Sequence, residues 1–171
     1  FLFVFSSSSS IADSIGFSFN SNRDDSPMPN DAIAGVVPSD GWVSTVGGNS
    51  ASAGANGSIT NRGVRVDWSS NGTWNTNNGK SNADNLLMNG YIDAIGGAGS
   101  AQIIINDINN AFNGSYDLYV YFGSDGNDRT GKIELEGGKT YSFRTFSQQG
   151  GNFPAQYERT TDTGNGNPRS N

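Results

Sequence analysis

The chain has 171 residues, of which 33% are apolar and 24 are glycine, with no cysteine, no histidine and a net charge of −6. That length allows one domain with a modest core and much turn, while the acidic balance argues against a nucleic-acid partner. The missing Cys and His exclude disulfides, thiolate metal sites and a Ser-His-Asp triad, and no apolar run approaches the ~20 residues of a spanning helix.

The first element is "FLFVF", apolar at both parities and followed by five serines. A half-exposed strand would alternate, so Phe1, Leu2, Phe3, Val4 and Phe5 need cover on both faces. Three fates are open. The segment is the tail of a signal peptide, the first strand of its own sheet, or a donor strand completing a neighbouring copy. The serines favour the donor: Ser6, Ser7, Ser8, Ser9 and Ser10 extended span at most ~17 Å, about the reach to an adjacent domain. A strand folding back on its own sheet would more often use a Gly or Asn turn. Pairing within its own domain would instead overturn the donor reading and make a monomeric module the better one. Residues 1–10 are thus expected to be donor strand and linker, and residues 11–171 a single β-sandwich domain.

Strand signals dominate the rest of the chain. "SIGFSFNSN" sets Ile15, Phe17 and Phe19 on one face. "VGGNSASAGANGS" reads as a long polar loop. "GVRVDWSS" sets Val64, Val66 and Trp68 against Arg65 and Asp67. "NADNLLMNGYID" holds one helical turn, with Asn82 or Asp84 as its cap and Gly90 as its stop. "AQIIIND" reads as a central strand. "SYDLYVYFG" places Leu118 and Val120 opposite Tyr119 and Tyr121. "SDGNDRTG" reads as a hairpin loop, and "EGGKT" as a two-residue hairpin on Gly137 and Gly138. "GKIELEGG" buries Ile133 and Leu135 and exposes Glu134 and Glu136. Many short antiparallel strands with Gly-rich turns predict an all-β, jelly-roll-like antiparallel sandwich, completed where necessary by a neighbour's strand. The polar end, "TTDTGNGNPRSN", reads as though a further strand were missing, which would leave an open groove for that donor.

Four stretches, "AIAGVVPSDGW", "VDWSSNGTWNT", "NLLMNGYID" and "YDLYVYFGSDGNDRTGKIEL", together resemble a domain of secreted Verrucomicrobia and Planctomycetes proteins, often of the PEP-CTERM-sorted kind. The resemblance spans roughly residues 15–147 and implies a secreted β-sandwich without assigned catalytic residues.

Other candidate sites are local. Asn56, Asn71 and Asn113 each begin an N-x-[ST] sequon, and Ser6 to Ser10 are candidate acceptors of O-linked sugar. The competing reading of the sequons is plain turn chemistry. Asp125, Asn127 and Asp128 offer oxygens to calcium without the full spacing of a calcium loop; no other cofactor is indicated. Trp74, in an Asn/Thr loop, is a candidate sugar-stacking residue, while Trp68 reads as core. Glu occurs only at 134, 136 and 158, so no carboxylate pair suggests a glycosidase. The expectation is a non-enzymatic, secreted subunit that polymerises head to tail with copies of itself, bearing covalent glycans. The alternative is a monomeric carbohydrate-binding or adhesive surface module.

Overall fold

The structure, a computed structural model, describes residues 2–6, 14–20, 27–46, 55–94, 99–124, 126, 129–137, 139–145, 153, 156–157, 159 and 169–170. Among these the regular structure is almost all β-strand, with one short α-helix and one 3-10 turn. β1 (Leu2–Ser6), β2 (Ile15–Asn20), β3 (Val43–Val46) and β9 (Asp117–Tyr121) form one sheet in the order β3-β2-β1-β9. A second sheet runs β4-β5-β8 (Ala55–Asn61, Val64–Ser70, Gln102–Asn106). β6 and β7 (Gly72–Asn75, Gly90–Asp93) make a ribbon, and β10, β11 and β12 (Arg129–Glu134, Thr140–Thr145, Arg169–Ser170) a third sheet.

The β1-containing sheet carries apolar cover on both faces. On one side Ile15, Phe17 and Phe19 join Val64, Val66 and Trp68 of β5, Ile92 of β7 and Phe112. On the other, Trp42, Met28, Leu87, Met88, Tyr121 and Phe153 pack together. β2 is therefore buried at all six positions, polar ones included. β9 divides its side chains between the layers, as its alternation predicts: Leu118 and Val120 meet the first core, and Tyr119 and Tyr121 the second. The helical turn α1 (Ala83–Leu87) caps as expected, with the Asn82 side chain accepting from the Asn85 N–H.

Several expectations change. The sheets are not wholly antiparallel, because β2–β3 and β11–β12 pair in parallel. Among the described residues β8 is an edge strand, not a central one, and Ile104 at its middle is 47% exposed. Residues 55–58 belong to β4 rather than to a loop: Asn56, Ser58 and Thr60 face out, while Gly57 and Ile59 lie on the Trp68 side. "SDGNDRTG" does not join a hairpin, since β9 and β10 lie in different sheets. The β10–β11 turn is closed by the Leu135 N–H donating to the Lys139 carbonyl, which makes a three-residue loop with Gly137 at positive φ. Leu135, one residue beyond the last paired position, is 39% exposed and not buried.

Candidate functional site

The segment expected to complete a neighbour is seated in its own chain. β1 pairs antiparallel with β2 (Phe3↔Phe17, Val4↔Gly16, Phe5↔Ile15) and with β9 (Leu2↔Tyr121 through Ser6↔Asp117). Among the described residues it alone bridges those two strands. The open groove inferred from the sequence is thus a closed slot in the isolated chain. Phe1 and the linker serines 7–10 lie outside the described residues.

Both walls of the slot have anchors that do not involve β1. On the β2 side, the Asn61 amide donates to the Gly16 and Gly41 carbonyls at 3.1 and 2.8 Å. Arg62 donates to the Ser14 carbonyl at 3.1 Å, and the Ser14 and Ser39 hydroxyls meet at 2.8 Å. The Trp42 indole N–H donates to the Ser39 carbonyl at 2.7 Å, and its ring lies against Gly16, where a Cβ would enter the ring itself. Glycine at 16 is therefore required by close packing within a strand.

On the β9 side, the Tyr121 hydroxyl accepts from the Val36 N–H at 2.8 Å. Its ring meets Tyr157 edge to face at 5.1 Å, and Tyr157 meets Phe153 at 4.9 Å. The Tyr157 hydroxyl donates to Asp84 Oδ1 at 2.7 Å, an oxygen that also accepts the Gly35 N–H at 2.8 Å. Burial pushes the Tyr121 phenol up to about 12, the Val36 bond opposing it. Tyr157 is raised as well, first by burial and then by its bond to the Asp84 carboxylate. Neither phenol is a base near neutral pH; the pair ties β9 to α1 and to the 34–39 loop. Nothing in the sequence pattern marks Tyr157 as a partner of Asp84, because the contact crosses 73 positions.

The remaining candidates fall apart from the slot and from one another. Asn56, Asn71 and Asn113 are all exposed. Asn56 sits on the outer face of β4, Asn71 at the β5–β6 turn and Asn113 beyond the 3-10 turn Ile108–Asn110. Asp125, Asn127 and Asp128 lie outside the described residues. Among the described residues no group of three or more acidic side chains is placed to hold a metal ion. Glu134 pairs with Lys132 at 2.6 Å on the surface of β10. Among the described residues no helix is long and apolar enough to cross a membrane.

Trp74 is not in a loop but in β6, directly opposite Tyr91 of β7. Thr73 and Ile92, the inward pair of that ribbon, are buried at 5% and 2% exposure, and Ile92 joins the first core. Trp74 and Tyr91 therefore share the opposite face of the ribbon, half-buried. Tyr91 also lines a shallow depression with Phe122, Leu87, Met88, Gly90 and Gly123. The pairing was hidden because β6 carries only four residues and no clean alternation.

Comparison with known proteins adds no relative: no family model matches the chain, and neither the curated proteins nor the solved structures provide a match.

Proposed function

We propose that this chain is the structural subunit of an extracellular homopolymer, in which the "FLFVF" strand of one copy occupies the β2–β9 slot of the next. What supports the reading is the sequence signal, an apolar segment joined to the rest by a run of serines; the seating of β1 in its own chain counts against a permanent donor, and exchange between copies is the form of the reading compatible with it. β1 is held by main-chain ladders on both sides, it can leave without breaking any other strand pairing, and the walls it leaves have their own anchors. An identical ladder is available in trans, so exchange costs no contacts and is governed by mass action. A short link gives the strand an effective concentration of about millimolar in its own slot. Polymer therefore forms where subunits are crowded, or where closing residues 7–13 is costly, and a head-to-tail contact that does not close on itself grows into a filament. Covalent sugar at the three exposed sequons would lie outside the slot.

A second reading is a monomeric carbohydrate-binding or adhesive module; it is favoured by the seating of β1 in its own sheet. One experiment separates the two. The full chain, concentrated and viewed by negative-stain electron microscopy, should give filaments. A chain lacking residues 1–6 should give none, and should take up a synthetic FLFVFS peptide one to one. Filaments from the deleted chain, or a full chain monomeric at every concentration, would leave the monomeric module standing.

A further inference from the structure

We infer that β8 is a self-association edge, pairing antiparallel with β8 of a second copy about a two-fold axis at Ile104. The inference is independent of β1 exchange, because it uses a different sheet and joins two copies rather than a row of them.

The edge itself is the first observation. Among the described residues β8 is bonded on one side only, to β5, from Gln102↔Ser69 to Asn106↔Arg65. Its other side offers main-chain donors and acceptors to an incoming strand. Yet its side chains suit a strand with neighbours on both sides: Ile103, Ile104 and Ile105 follow one another. Ile104 is 47% exposed, while Ile103 and Ile105 pack on the first core and stay only half-buried. The strand carries no proline, lysine or other charge that would blunt it.

The second observation is that β8 matches its own reverse. An antiparallel copy of "QIIIN" centred on Ile104 sets Ile104 against Ile104, Ile103 against Ile105 and Gln102 against Asn106. Opposed residues of an antiparallel pair point to the same face. Ile103 and Ile105 of both copies then form one apolar row on the core side, and the amides meet on the outer side. A slip of one residue would break that row.

Charge makes the third observation, and it selects a second copy as the occupant. A chain of net charge −6 repels its like, so copies meet best where charge is absent. The nearest charges beside β8 on its outer face, Arg65 and Asp67 of β5, already pair at 3.2 Å, and Asp67 also accepts from the Asn106 amide at 2.8 Å. Asp107, exposed and at positive φ, ends the strand, and in this register it would face Ala101 rather than a like charge. Five residues a side bury less than the ~1,200 Å² of a standard interface, so the dimer is weak and concentration-dependent. It is also closed, since each β8 then has a neighbour on either side.

The test is single-cysteine cross-linking in the full chain, which has no native cysteine. Ile104→Cys, concentrated and mildly oxidised, should run as a covalent dimer on denaturing, non-reducing gels and as monomer after reduction. Gln102→Cys should stay monomeric, because its like positions fall four residues apart along the ladder, about 14 Å and beyond disulfide range. Sedimentation equilibrium supplies a readout without cysteine: Ile104→Lys, at an exposed position, should weaken dimerisation at least tenfold by opposing two like charges. Monomer from Ile104→Cys at every concentration, equal cross-linking of Gln102→Cys, or undiminished association of Ile104→Lys would overturn the inference. Polymer built by β1 exchange comes apart in the denaturing gel, so its presence or absence does not alter the cross-linking result.

Discussion

At the scale of single residues, the strands are shaped by glycines that make room for rings. Gly57 lies directly across from Trp68, and Gly131 across from Phe143, and at each a Cβ would enter the facing ring. Gly16 does the same for Trp42. In the sequence Gly57 reads as part of a polar loop, because composition cannot show which ring lies over it; that is why β4 was hidden. Gly16→Ala should cost about 2 kcal/mol or more in denaturant unfolding, as overpacking does in a rigid core. Its neighbours are a buried indole and a ladder, so little can give. Asn61→Ala should cost about 1–3 kcal/mol, since it strips a donor from two backbone carbonyls.

The tyrosines make a prediction about pH. The Tyr121 phenol stands at about 12 in the fold, against about 10 in an unfolded chain, and Tyr157 is raised too. A raised folded-state value stabilises the fold fully below the unfolded value and loses that contribution as pH climbs. Chemical denaturation should therefore show no tyrosine-linked loss below about pH 10, then a steep loss as pH rises through about 12. Tyr157→Phe should shrink that alkaline loss; an unchanged pH profile in this variant would refute its part in it.

At the scale of elements, much was legible. The apolar segment "FLFVF" demanded cover on both faces, and its strand lies in a sheet whose β2 and β9 neighbours have core on either side. The alternations of β2, β5 and β9 and the Asn82 cap were likewise readable, because each is a local pattern fixed by side-chain period or by a single hydrogen bond. What escaped was partnership. A parallel β2–β3 pair, an edge position for β8, and β9 and β10 in separate sheets are all set by long-range contacts that leave no local mark. "AQIIIND" looked central because three isoleucines in a row suggest burial on both faces, yet the middle one faces outward. Ladder hydrogen bonds give the element-scale test. Val4→Pro removes one donor from a strand bonded on both sides. It should lower the melting temperature by several degrees, since a proline in a strand paired on both sides breaks the ladder and a small domain has little stability to spare. No shift would mean that β1 contributes nothing to the fold.

At the scale of the whole molecule, the slot between β2 and β9 is where copies would join. Exchange of β1 is the central claim, and the absence of native cysteine gives it a clean reporter. Ser6 and Asp117 are register partners at the end of the β1–β9 ladder, and Asp117 is exposed. Facing strand positions lie within disulfide range. A chain carrying Ser6→Cys and Asp117→Cys should be concentrated, oxidised and run on denaturing, non-reducing gels. Strand exchange predicts a ladder of covalent multimers that collapses to monomer on reduction and fades when the chain is oxidised dilute. Monomer alone, closed by an internal disulfide at every concentration, would contradict it.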